Sequence, residues 1–134
     1  MRNLLRSERG FTLLEILVVA LIIGILAAIA IPTMLGQRRD GWDADAKSNA
    51  RNLYAAVEAC GAEAGGDYTD CADASKVGDS NVPLGTAPGQ AQVTSPSLSG
   101  YTVTAYSKSG KNFLITKSST GRALTVSGTG SGSW

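Results

Sequence analysis

Histidine is absent from this sequence of 134 residues, which removes the commonest general base and the commonest transition-metal ligand. Any strong excess of charge is missing too. Twelve Lys and Arg stand against eleven Asp and Glu, so the chain has neither the polycationic surface that suits nucleic acid nor an acidic one for a basic partner. There is no G-x-S-x-G, no glycine loop of P-loop form, and the two cysteines, Cys60 and Cys71, do not make a C-x-x-C. An enzyme is therefore not expected, nor a cofactor, a metal site or a sequence-specific nucleic-acid partner. Aromatic residues make up only 6% and the length allows one domain at most.

What is there is concentrated at the N-terminus. Residues 1–10 carry Arg2, Arg6 and Arg9 against the single acid Glu8. From Ile16 to Leu35 twenty residues run without a formal charge. As a helix that run is roughly 30 Å long, enough to cross a bilayer. The basic leader belongs on the cytoplasmic side, so the remainder is expected to be exported. A secretory signal peptide fits poorly, because the run is too long and lacks a clean small-x-small cleavage site. A plain membrane anchor fits the hydropathy but leaves Glu15 and its surroundings unexplained.

A carboxylate beside a spanning segment costs about 2.5–3.5 kcal/mol at a helix centre unless it is neutralised, paired or held at the interface. By hydropathy Glu15 reads as an interfacial acid at the positive end of the helix dipole. The other reading is that it waits for a cation from another subunit. Around it the sequence runs Arg9-Gly10-Phe11-Thr12-Leu13-Leu14-Glu15 and then an unbroken apolar stretch. Basic leader, G-F-T-L-x-E and span together closely resemble the class III signal of type IV pilins and pseudopilins, over roughly residues 6–40. The resemblance implies cleavage between Gly10 and Phe11 by a prepilin peptidase and N-methylation of Phe11. The apolar helix is retained for assembly. It also implies that Glu15 neutralises the amine of a neighbouring subunit's Phe11, with Thr12 adding a hydroxyl to that junction, and so sets register.

Within the span, Ala20, Gly24 and Ala28 recur every four residues; this reads equally as a close-packing stripe or as ordinary membrane-helix composition. Pro32 leaves the Ala28 carbonyl without its helical donor, so a kink or loosening is expected there. By resemblance, the stretch from Gly24 to Pro32 is a point of helix flexibility in the filament.

From Asp40 the pattern becomes amphipathic. Trp42, Ala46, Ala50, Leu53, Val57 and Cys60 form a stripe, and one helix is expected from about 12 to 63, ended by Gly61, Gly65 and Gly66. Residues 64–100, with Pro83, Pro88 and Pro96, read as a long loop holding at most a short strand or turn. In the family this connection is the variable αβ-loop. Segments 101–106, 112–117 and 122–127 then predict an antiparallel β-meander. Its expected core is Tyr101, Val103, Ala105, Leu114, Leu124 and Val126 against Leu53 and Val57. Residues 128–134 read as a flexible tail, with docking of Trp134 as the alternative. The predicted organisation is a leader at 1–10, a transmembrane assembly helix at 11–35 and an exported head at 36–134. The fold class is α+β, a long helix with a membrane-spanning first half on a small antiparallel sheet, the pilin-like arrangement.

Cys60 and Cys71 lie in the exported part, where a disulfide between them is the default. Many pilins instead enclose the C-terminal strands with their bridge, so the family's C-terminal surface region does not carry over. Asp67, Asp70, Asp73 and Asp79 cluster after the helix, and some pseudopilins bind calcium in such loops. Here the spacing fits no EF-hand and acidic turn residues are ordinary, so no metal is assigned. The resemblance implies a structural subunit of a type IV pilus serving adhesion, motility or DNA uptake. It would be single-pass in the cytoplasmic membrane, handled by inner-membrane assembly machinery, and finally a homopolymer in an extracellular pilus. The alternatives are a pseudopilin of a type II secretion or competence system, and a membrane-anchored binding module that does not polymerise.

Overall fold

The first helix begins on a cap. In the computed structural model, which describes residues 10–130 and 132–134, Thr12 precedes helix α1, Leu13–Glu63. Its hydroxyl accepts the Glu15 N–H at 3.2 Å, and its carbonyl accepts from Glu15 and Ile16. Thr12-x-x-Glu15 is thus a capping-box sequence, satisfying donors that the first turn would otherwise leave open. The leader expected at residues 1–9 lies outside the described residues.

The chain divides between Gln37 and Arg38 into two units. The first is helical from Leu13 onward, and from Leu13 to Leu35 every large apolar side chain on it is exposed. Its mean hydropathy over an 18-residue window is 3.0, so it is long and apolar enough to cross a membrane.

The second unit is a helix on a sheet. Here α1 buries Asp43, Ala46, Ala50, Leu53, Val57 and Gly61, a 3-4 stripe facing the strands. Four strands, β1 (Ala91–Thr94), β2 (Tyr101–Tyr106), β3 (Lys111–Ser118) and β4 (Gly121–Gly128), pair antiparallel in sequence order. The register aligns Val93, Val103, Ile115 and Leu124 in one row and Ala91, Ala105, Phe113 and Val126 in the next. The core therefore comprises Leu53 and Val57 from α1 with Ala91, Tyr101, Val103, Ala105, Phe113 and Ile115 from the sheet.

Several expectations change. Leu114 lies on the outer sheet face, and Phe113 and Ile115 fill the core instead, because the register with β2 puts odd-numbered β3 residues inward. Leu124 has the right phase but stays 44% exposed, and Val126 is only half-buried. The reason is width: one helix of about 10 Å diameter cannot cover four strands spaced about 4.8 Å apart, so β4 overhangs. Trp42 is exposed and Asp43 takes the buried place beside it. The 64–100 connection contains helix α2 (Ala74–Val77), a 3-10 turn (Gly78–Ser80) and β1. Trp134 docks, meeting Phe113 edge-on with ring centroids 5.6 Å apart and donating its indole N–H to the Thr125 carbonyl at 2.9 Å.

Helix α1 ends in a Schellman cap. The Gly66 N–H reaches the Gly61 carbonyl at 2.7 Å, and the Gly65 N–H reaches Ala62, with Gly65 at φ +71. Gly61 is needed for a different reason than helix termination. A Cβ there would overlap the Tyr68 ring, which lies against the last turn.

Candidate assembly site

Three features converge at the start of α1. Phe11 precedes the cap residue and is 80% exposed, Thr12 supplies the cap, and Glu15 follows one turn later with its side chain exposed. Phe11 and Glu15 border one shallow groove along the helix, otherwise lined by Ile16, Val19, Ala20 and Ile23. Gly10 sits just outside the helix, exposed, with open space where a side chain would be. The sequence-predicted processing and assembly residues are therefore contiguous. Their wall is almost wholly apolar, so an ionised Glu15 facing another apolar helix would need a cation.

Further along, Ala20, Gly24 and Ala28 lie exposed, and a Cβ at Gly24 would meet nothing. The helix continues through Pro32, and the Thr33 hydroxyl donates to the Ala30 carbonyl at 2.8 Å. The stretch from Gly24 to Pro32 is helical, without the break in the helix that Pro32 led one to expect.

In the second unit, two charged clusters join α1 to the sheet. Asp43 accepts hydrogen bonds from the hydroxyls of Ser107 (2.7 Å) and Ser109, and from the Lys111 ammonium at 3.0 Å. Burial pushes its carboxyl up, but the hydrogen bonds from Ser109, Ser107 and Lys111 outweigh that and hold it below its ordinary value. Glu58 accepts both oxygens' worth of Lys117 at 2.7 and 2.8 Å and the Tyr101 hydroxyl at 2.6 Å. Burial again pushes Glu58 up, and Lys117 and the tyrosines bring it below its ordinary carboxylate value. Lys117 is raised in turn by its hydrogen bonds to Glu58 and Tyr68.

In the sequence both Asp43 and Glu58 read only as polar residues between the stripe positions, with no partner assigned. The signal was present for the first: carrying the 3-4 spacing back from Ala46 reaches Asp43 as readily as Trp42. The second carried none, because Glu58 sits beside the stripe and only the sheet register brings Lys117 to it.

Cys60 and Cys71 form a disulfide, with Cys71 buried and Cα atoms 5.9 Å apart. Of the four clustered acids, Asp67 accepts from Thr69 and Asp73 caps α2 through the Ser75 N–H. No cluster of three His, Cys, Asp or Glu side chains is present among the described residues.

Residues 5–31 match the family described as the prokaryotic N-terminal methylation motif. The chain is similar to the type IV major pilin protein PilA of Myxococcus xanthus, 49% identical over 49 residues, 37% of this chain and 22% of that protein. It is also similar to type II secretion system core protein G. The Klebsiella michiganensis protein is 54% identical over 33 residues (25% of this chain, 23% of the relative). That of Vibrio cholerae is 41% identical over 56 residues (37% and 38%). The aligned segments thus span only 22–38% of these relatives' own lengths. No solved structure matches the chain.

Proposed function

We propose that this chain is a structural subunit of a bacterial type IV pilus, polymerising through α1. The observation that carries the reading is the juxtaposition at the helix start. A methylation motif, a capping threonine and a carboxylate lie within about one turn, at the start of a helix whose large apolar side chains from Leu13 to Leu35 are all exposed. The prepilin peptidase removes the leader after Gly10, and N-methylation follows on Phe11. The new ammonium then sits at the positive end of α1, where the helix dipole opposes it. In an apolar bundle it needs a carboxylate, and Glu15 of a neighbouring copy supplies one. Each helix brings one cation and one anion, offset by a turn. A buried pair contributes little net stability, but leaving either half unpaired costs about 3–5 kcal/mol, so the pairing selects one axial stagger. Gly24 and Pro32 then mark where α1 loosens as the helices pack.

Before assembly the chain is a single-pass protein of the cytoplasmic membrane, and afterwards it is part of an extracellular fibre. Its partners are further copies of itself and the inner-membrane assembly machinery. The role is structural, serving adhesion, motility or DNA uptake. The likeness to core protein G favours one second reading, a pseudopilin that builds a short fibre in a secretion apparatus.

Glu15→Ala separates assembly from anchoring. The variant is expected to enter the membrane normally and yield no filaments in surface-sheared material, whereas Glu15→Asp retains some. Wild-type filaments from Glu15→Ala would overturn the reading. Long surface filaments in the wild type favour the pilus, and short envelope-confined ones the secretion fibre.

A further inference from the structure

The two sides of the buried helix stripe carry opposite charge. At 100° per residue, Lys47, Arg51, Tyr54 and Glu58 fall on one side, next to the overhanging strand β4; Glu58 is paired with Lys117, which leaves Lys47 and Arg51 as the charges of that flank. The Arg51 guanidinium lies over the Trp134 ring at 5.6 Å and that of Arg122 over Tyr54 at 5.5 Å. On the same face of β4 as Arg122, which alternation puts two residues away, Leu124 stands 44% exposed, an apolar knob with basic neighbours.

On the other side, α1 and α2 enclose a groove floored by Ala55, Ala56 and Ala59 and rimmed by Glu63 and Asp79. A second groove continues from Glu63 to Asp67 and Asp70, and Lys76 is the one cation on either wall. Small side chains make this flank concave, and its rim is acidic where the β4 flank is basic.

We propose that these flanks dock on one another between copies, the β4 knob around Leu124 of one head entering the alanine groove of the next. This rests on the assembly reading above and names the head contact that accompanies it. Both surfaces lie on every copy but on opposite sides, so the contact is head-to-tail instead of two-fold, the kind that propagates from copy to copy in the polymer of the assembly reading. Burying Leu124 removes an apolar side chain from water, and the rim charges fix orientation and reject like-charged approaches.

The test uses full-length chains in cells, one carrying Leu124→Cys and a co-produced one carrying Ala59→Cys. Each is first checked for a single reactive thiol, which shows the Cys60–Cys71 bond intact. Mild oxidation is expected to link the two variants and to link neither with itself. Arg122→Glu in the first chain cuts the product about tenfold, a 1.4 kcal/mol loss, and Asp79→Arg in the second restores it. Should either thiol variant misfold, Val126→Cys, on the same face of β4 as Leu124, with Ala55→Cys probes the same contact. Equal self-linking, or indifference to Arg122→Glu, overturns the proposal. Absence of the mixed product in cells that display filaments overturns the contact and leaves the assembly reading standing. A mixed product without filaments does the reverse, and neither product nor filaments overturns both.

Discussion

Glu58 and Lys117 meet across the helix–sheet interface at 2.7 Å, and the buried Tyr101 hydroxyl donates to the same carboxylate at 2.6 Å. The pair is about a third exposed, so its Coulombic attraction is screened. What makes it matter is the tyrosine: without the carboxylate the buried hydroxyl is left with only the longer bond to the Tyr54 carbonyl, 3.4 Å.

Glu58→Ala is accordingly expected to destabilise the head by about 1–2 kcal/mol, chiefly because the buried Tyr101 hydroxyl and the Lys117 ammonium exchange a carboxylate for the weaker Tyr54 carbonyl and Tyr68 hydroxyl alone. Glu58→Ala combined with Tyr101→Phe should recover part of that loss. Thermal unfolding of the detergent-solubilised chain measures both. A double variant less stable than the sum of the singles would refute the coupling.

Stability should fall in acid. Asp43 and Glu58 both have folded pKa values below their unfolded ones, so folding favours the ionised forms. Their contribution is complete above the unfolded values, 3.8 and 4.5, and is lost as pH drops through the folded ones. Lys117 behaves oppositely: its raised value gives stability that is full below 10.5 and lost above it. Melting temperature against pH should therefore show a plateau between these limits. Asp43→Asn and Glu58→Gln should flatten its acid edge.

Two glycines of α1 should respond in opposite directions. Gly61→Ala drives a methyl into Tyr68 and is expected to cost about 1–3 kcal/mol through overpacking, loosening the Tyr68–Lys117 contact with it. Gly41→Ala meets open space in mid-helix and should stabilise by about 0.5–1 kcal/mol. Denaturation midpoints of the two variants decide this, and equal effects would refute it.

Cys60→Ser with Cys71→Ser is expected to lower stability by about 2–3 kcal/mol, because the bridge closes a loop of eleven residues in the unfolded chain. The head should keep its sheet and lose order first between Gly65 and Val77. Hydrogen exchange over that segment reports it, and uniform loss of protection across the sheet would contradict it.

The helix and the three-strand meander were legible because their periods, 3.6 and 2, are unambiguous over long segments. Phase was harder. Phe113, Leu114 and Ile115 are consecutive apolar residues, so alternation alone assigns no face, and only pairing with Val103 and Ala105 sends Leu114 outward. Leu124 failed for a reason no local pattern contains, the mismatch between one helix and a four-strand sheet. Strand β1 has four residues set among prolines and glycines and exists because β2 offers it an edge. At the candidate assembly site, Gly10, Phe11 and Glu15 were readable as a contiguous motif. Thr12 was read as part of the junction, yet its capping role was equally visible in the Thr-x-x-Glu spacing.

The two charged clusters have a mechanical consequence. Asp43 and Glu58 are fifteen residues apart on α1, about 22 Å, and Lys111 and Lys117 six residues apart on β3, about 20 Å. The helix and the strand run the same way between matched rivets. A pull along the helix axis therefore loads both rivets and the whole apolar seam between them simultaneously, in shear. Such a joint cannot peel open one contact at a time, and a sheet so fastened stays on its helix under tension.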